Sequence, residues 1–133
     1  MVSAEIDRQP VCVAIVDDDP RIRMLLEDEL MEHGLTPHLC SGGLDLLQLI
    51  QSRHLDVVML DINMPEMSGL DCLQRLREAD FAGQVLVITA VEDSTTRRAA
   101  LAAGAQEYIL KTDLFEELPR LLESYLRINL SAS

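Results

Sequence analysis

The sequence predicts one α/β domain: a mostly parallel sheet of five strands, with a helix following each strand. Three features predict it. Short apolar runs alternate with segments of helical period, the signature of repeated βα units. A length of 133 residues with 48% apolar content suits one domain with a substantial buried core. Four of the apolar runs close on acidic or polar residues: Val11–Val16 on Asp17 and Asp18, Val57–Leu60 on Asp61, Val85–Ile88 on Thr89, and Tyr108–Leu110 on Lys111. A parallel sheet collects such ends along one edge, where ligands of open α/β folds bind.

The elements follow in order. Val11–Val16 reads as a buried first strand. Asp19 and Pro20 then start a helix as N-cap and N1, where a missing N–H costs nothing. Ile22, Leu26 and Leu30, with Leu25, form its buried stripe, and Gly34 supplies the left-handed residue that ends it. Leu35–Cys40 is a weaker second strand whose Pro37 suits a sheet edge. Ser41 opens a second helix reaching about Gln51, with Leu47 and Ile50 inward. Asp56–Leu60 is the third strand. Beyond a loop containing Pro65, Ser68 and Asp71 have capping-box spacing, and Leu70, Leu73 and Leu76 run down the third helix. Gly83 precedes the fourth strand, Gln84–Ile88. Ser94 caps an Ala-rich fourth helix that stops at Gly104, and Glu107–Leu110 is the fifth strand. The fifth helix runs from Phe115 to about Asn129, with Leu118, Leu122 and Tyr125 on one stripe and Leu121 and Ile128 beside it. Pro119 is expected in its first turn, where proline is tolerated. The domain therefore spans 11–129, with a flexible segment at 1–10 and a tail at 130–133.

Composition narrows the function. Aromatics are 3% and Trp is absent, so the core must be built from Leu, Ile, Val, Ala and Met. A formal charge of −12 repels nucleic-acid phosphates and anionic lipid, so neither direct nucleic-acid binding nor membrane binding is expected. No apolar run approaches a membrane span. The N-terminus carries Glu5 and Asp7 and lacks the apolar stretch of a secretory signal. Cys12, Cys40 and Cys72 are odd in number and set in apolar contexts. They read as small buried thiols of a reducing compartment, and a cytoplasmic location is expected.

The strand ends carry the chemistry. Alone, Asp61 would be an ordinary turn residue. With Asp17 and Asp18 arriving from a neighbouring strand, like charges crowd and a cation is needed to neutralise them. Hard oxygen donors suit Mg²⁺. Asp18 and Asp61 are the expected direct ligands, with Asp17 available through water and Asp19 serving as a helix cap. A carboxylate is a competent nucleophile toward an activated phosphoryl group. Charge on the transferred group would be met by the metal, by Lys111, and by the hydroxyl or N–H groups near Thr89 and Ala90. His33, His38 and His54 fall away from this edge, so no intrinsic phosphohistidine donor is evident and the phosphoryl group should come from another protein or a small phosphodonor.

These residues resemble those of two-component response-regulator receiver domains, including the chemotaxis receivers, over about residues 11–128. The matching stretches are Ile15-Val16-Asp17-Asp18-Asp19-Pro20, then Leu60-Asp61-Ile62-Asn63-Met64-Pro65-Glu66-Met67-Ser68-Gly69, then Thr89-Ala90, then Ala103-Gly104-Ala105 with Tyr108 and Lys111. The resemblance implies a flavodoxin-like, doubly wound sheet of order 2-1-3-4-5 with five helices. It implies that Asp61 accepts phosphate from a histidine kinase or histidine phosphotransfer protein. It further implies that Asp17 and Asp18 are the acidic pair, that the backbone carbonyl of Asn63 is another metal ligand, and that Lys111 touches the phosphoryl group. Thr89 and Tyr108 would be the switch pair, reshaping the surface of the fourth helix, fifth strand and fifth helix for a downstream protein or output domain. Arg97 and Arg98 on the fourth helix could support a phosphorylation-dependent homodimer.

Two departures from the family pattern stand out. Thr112 follows Lys111 where the family usually has proline in cis. A cis bond before a non-proline costs about 2.5–4 kcal/mol, so a trans bond and a more mobile loop are expected. Val91, two residues past Thr89, cannot orient a hydrolytic water as a polar residue could. Rival classes fit less well. A haloacid-dehalogenase-type phosphatase needs an acid/base where this chain has Asn63. A flavodoxin needs a phosphate-cradling loop where it has Asp17-Asp18-Asp19. A receiver-like interaction module that works without phosphorylation is the second reading.

Overall fold

The computed structural model describes residues 10–130. The strands are β1 (Val13–Val16), β2 (His38–Cys40), β3 (Val57–Leu60), β4 (Gln84–Thr89) and β5 (Glu107–Leu110). The helices are α1 (Pro20–Glu32), α2 (Gly43–Ser52), α3 (Gly69–Glu78), α4 (Ser94–Ala102) and α5 (Leu114–Tyr125), with a short 3₁₀ turn at Lys111–Asp113. The strands form one sheet of order β2-β1-β3-β4-β5, and every pairing is parallel. The expected architecture and strand order are both present. The expected loose ends fall almost wholly on residues outside 10–130.

Side-chain alternation along the strands divides the core. Val13, Ile15, Val57, Met59, Leu86, Ile88 and Ile109 face α1 and α5, where Leu26, Leu30, Leu118, Leu121 and Leu122 meet them. Ala14, Val16, Val58, Leu60, Val85 and Val87 face the other way, toward Leu46 of α2, Cys72, Leu73 and Leu76 of α3, and Ala100 of α4. Each fully buried leucine contributes about 1.5–3 kcal/mol relative to an exposed one. Strands buried on both faces read as unbroken apolar runs, which is why they were legible.

Local differences from expectation have identifiable causes. Leu25 is 46% exposed, because the stripe through Leu26 and Leu30 already meets the sheet. Helix α2 starts at Gly43 with Gly42 as N-cap; Ser41 lies outside and donates its hydroxyl to Asp45 instead. Leu46 is its fully buried leucine, with Leu47 and Ile50 half-buried beside it. Asp93, not Ser94, caps α4, accepting from the Thr95 N–H. Pro119 lies inside α5 rather than in its first turn. It removes a bond to the Phe115 carbonyl, and both residues are exposed, so water can satisfy that oxygen. Helix α5 ends at Tyr125, short of Asn129. Cys12 is exposed, whereas Cys40 and Cys72 are buried and burial pushes both thiols up to about 11.

Other expectations are met in detail. Asp19 caps α1 over Pro20, Ser68 caps α3 by accepting from the Asp71 N–H, and Gly34 and Gly104 carry positive φ at helix ends. No helix among the described residues is long and apolar enough to cross a membrane.

Candidate functional site

The chain order reverses between β1 and β3: β2 lies on one side of β1, and β3 to β5 lie on the other. Ligand sites of doubly wound sheets form at this reversal, beyond the carboxyl ends of the strands. Asp17 directly follows β1 and Asp61 directly follows β3. Their backbones extend the ladder by one step. Asp61 N–H donates to the Val16 carbonyl at 2.9 Å, and Asp17 N–H donates to the Cys40 carbonyl at 3.1 Å. The positions of Asp17 and Asp61 are therefore fixed by the sheet itself.

The carboxylates converge. Asp17, Asp18 and Asp61 each offer an oxygen within 4.8 Å of the others. Lys111 Nζ, from the end of β5, lies 2.9 Å from Asp17 Oδ2 and 3.3 Å from Asp61 Oδ2. The side chains of Asp17 and Asp61 are only 4% and 3% exposed, while Asp18 is exposed at the rim. Burial pushes the Asp17 carboxyl above its usual range and outweighs the Asp19 N–H and the Lys111 ammonium beside it. Burial also pulls Lys111 down, but its bonds and charge contacts with Asp17 and Asp61 more than reverse this, so its ammonium is held above the usual range.

Three carboxylates, their charge only partly offset by one lysine, form a set that suits a hard divalent cation: they supply negative charge and oxygen ligands, and one face stays open to solvent at Asp18. The residues therefore fit Mg²⁺. Asn63 is part of the same turn, its N–H donating to Asp61 Oδ1 at 3.1 Å. Beside Asp18 lies an open cleft of about 530 Å³ between the start of α2 at Ser41–Asp45 and the loop Met64–Met67.

The remaining expected residues line the other side. Thr89 is fully buried at the end of β4, and Ala90 is exposed next to it. The Val91 N–H donates to Thr89 Oγ1 at 3.2 Å, and the Tyr108 hydroxyl donates to the Val91 carbonyl at 2.7 Å. Tyr108 is thus turned inward and held, and one residue's backbone links it to Thr89. Asp19 accepts from the Arg21 N–H, as a helix cap should, and is not among the three converging acids. No peptide bond among the described residues is cis, so Lys111–Thr112 is trans as expected. His54 pairs with Asp56 at 2.9 Å just before β3, at the opposite end of the strand from Asp61.

Three contributors were not read from the sequence. Arg23 reaches back from α1 to the Asp17 carbonyl at 2.6 Å. The backbone of Val91 links Thr89 to Tyr108, although the sequence drew notice to its side chain. Gly69 packs so closely on the Asp61–Ile62 backbone that a Cβ would collide with the Asp61 carbonyl. A cation in the first turn of α1 and a glycine directly after a helix cap were the available signals.

Comparison with known proteins bears on this geometry. Residues 13–123 match the model of the response regulator receiver domain family. The chain is 36% identical over 118 residues to the response regulator MprA of Mycobacterium sp. strain KMS, covering 89% of this chain and 51% of that protein. It is 35% identical to the probable transcriptional regulatory protein TcrX of Mycobacterium tuberculosis, covering 91% of this chain and 52% of that one. The chain thus spans about half the length of these relatives. Among solved structures, the Thermotoga maritima response regulator TrrA, in complex with Mg²⁺-BeF, is 32% identical with a TM-score of 0.76, covering 87% of this chain and 99% of that one. The chemotaxis protein CheY4 of Vibrio cholerae is 25% identical with a TM-score of 0.81, covering 89% of this chain and all of that one. The aligned region contains every strand end that builds the acidic crevice, and the chain belongs to the response regulator receiver domain family.

Proposed function

We propose that this domain is a phosphoacceptor in a two-component relay. Asp61 takes a phosphoryl group from a phosphohistidine on a histidine kinase or histidine phosphotransfer protein, with Mg²⁺ held by Asp17, Asp18, Asp61 and the Asn63 carbonyl. The observation that carries this reading is Lys111 Nζ lodged between the buried carboxylates of Asp17 and Asp61, with Asp18 within coordinating reach.

In the transfer, an Asp61 oxygen bonds to phosphorus as the donor's P–N bond breaks. The electron pair stays on the imidazole, which takes up a proton and leaves neutral. The product is an aspartyl phosphate. Bound Mg²⁺ supplies neutralisation of charge on the phosphoryl oxygens. Lys111, already beside Asp61 Oδ2, pairs with a second oxygen. Thr89 Oγ1 accepts the Val91 N–H, so its own proton can be offered to the third, with the Ala90 N–H beside it. A pull on Thr89 is felt by Val91 and so by the carbonyl that anchors Tyr108. That is the route by which phosphorylation would reshape the face of α4, β5 and α5 for a downstream protein, an output domain or a second copy through Arg97 and Arg98. The setting is cytoplasmic, and the domain is a signalling acceptor whose only turnover is slow loss of its own phosphate.

Incubation with acetyl phosphate and Mg²⁺, followed by mass spectrometry, tests the reading. The protein should gain about 80 Da, one phosphoryl group, and Asp61→Asn should gain nothing. An unmodified parent protein, or equal modification of Asp61→Asn, would overturn it. A second measurement follows phosphate loss. Val91 offers no side-chain group to a hydrolytic water, so Val91→Glu should dephosphorylate roughly tenfold faster, less than the gain from a full general base. Equal decay of the two phosphoproteins would remove this role for the position.

A further inference from the structure

Asp18 is the expected ligand with the least support. Its side chain is exposed, and none of its carboxylate oxygens takes a hydrogen bond among the described residues. Asp17, by contrast, is held at every polar atom. Its N–H donates to Cys40, Oδ1 accepts from the Asp19 N–H at 2.9 Å, and Oδ2 meets Lys111. Its carbonyl accepts from Arg23 Nη1 at 2.6 Å. That carbonyl belongs to the peptide joining Asp17 to Asp18. The orientation of this peptide decides where the Asp18 carboxylate leaves the backbone. Arg23 is half-buried in the first turn of α1, six residues past Asp17, so a rigid element presents its guanidinium.

We propose that Arg23 is a positioning residue for the metal ligands. It clamps the Asp17–Asp18 peptide so that Asp18 is aimed at the point where Asp17 and Asp61 converge. The inference rests on the reading of the crevice as a Mg²⁺ site. Two effects of Arg23 oppose each other, which makes its sign informative. As a cation near the site it repels Mg²⁺, so charge alone predicts tighter binding once it is removed. As a clamp it pre-orients a ligand, so removal predicts weaker binding. The short contact to a carbonyl that is otherwise unpartnered favours the clamp.

Titration calorimetry of Mg²⁺ into metal-free protein tests this with the parent, Arg23→Met and Arg23→Lys, alongside thermal melting in chelator. Methionine keeps most of the apolar stem and loses donor and charge. Arg23→Met should bind Mg²⁺ at least about tenfold more weakly, the usual cost of losing an outer-shell partner. Its metal-free melting should stay close to the parent's, and Arg23→Lys should recover part of the affinity. Binding by Arg23→Met equal to or tighter than the parent overturns the proposal. So does no recovery by lysine, or a methionine variant already unfolded without metal, which would make Arg23 a folding residue. A parent that binds no Mg²⁺ overturns the metal-site reading itself, and the parent titration reports this separately.

Discussion

Replacing Lys111 with methionine should destabilise the metal-free protein by about 3 kcal/mol at neutral pH, the low end for breaking a buried ion pair by removing one partner. The low end applies because the Lys111 side chain is 20% exposed while Asp17 and Asp61 are nearly sealed. Two buried carboxylates would lose the cation between them. The sign of the pH dependence follows from Asp17. Its folded-state carboxyl already lies above the ordinary value of 3.8, so the folded state holds that proton more tightly than the unfolded chain. That contribution is fully present below the ordinary value and is lost as pH rises through the raised one. Loss of Lys111 removes two influences that lower Asp17, its hydrogen bond and its charge, and so pushes the carboxyl higher still. Lys111→Met should therefore lose more stability than the parent between acid and neutral pH, and should regain more on adding Mg²⁺. Urea unfolding at the two pH values, with and without Mg²⁺, measures both effects. A metal-free variant as stable as the parent at neutral pH would show that the lysine does not offset the acid cluster.

The second large effect is expected at Gly69, the first residue of α3. Its N–H donates to the Ile62 carbonyl at 2.7 Å, which ties the start of the helix to the turn after Asp61. A Cβ at this position would meet the Asp61 carbonyl and Ile62 Cα, backbone atoms with no rotamer to yield. Gly69→Ala must therefore shift either the helix or the turn that aims Asp61. Overpacking of this kind costs about 3 kcal/mol, and for a domain of this size lowers the melting temperature by roughly 10 °C. Phosphorylation by acetyl phosphate should slow more than global unfolding explains, because a displacement of about 1 Å at Asp61, the proposed nucleophile, can cost a hundredfold in rate. An alanine variant with parental melting and parental phosphorylation would mean that the chain relaxes there freely. Gly43→Ala provides the contrast. Its Cβ would press hardest on the Met67 thioether, a flexible side chain that can move aside, and less closely on Cys72, with no backbone atom in the way.

How much of this was legible follows from the range of the interactions involved. Ser68 and Asp71 are three residues apart, and Asp19 and Pro20 are adjacent; both helix starts were read correctly. Ser41 and Ser94 were misread as caps, since several polar residues stood close together and tertiary packing chose among them. Leu46 was passed over for Leu47 and Ile50 although all three share one face of the helix, because the angle at which the helix docks on the sheet decides which of them is sealed. The acidic crevice was legible because each of its residues closes a strand, and parallel strands share one direction.

By itself, the sequence determined the five βα units, the burial of their strands and the gathering of Asp17, Asp18, Asp61, Thr89 and Lys111 at one edge, since apolar periodicity and strand ends are local properties. Only the tertiary structure decided which groups touch. It seated Lys111 between two carboxylates, brought Arg23 back to the Asp17 carbonyl, pressed Gly69 against Asp61 and tied Tyr108 to Thr89 through Val91. The physical reason is that hydrogen bonds and close packing act over about 3–4 Å, a precision that the packing of α1 and α3 on the sheet fixes and that chain spacing cannot encode.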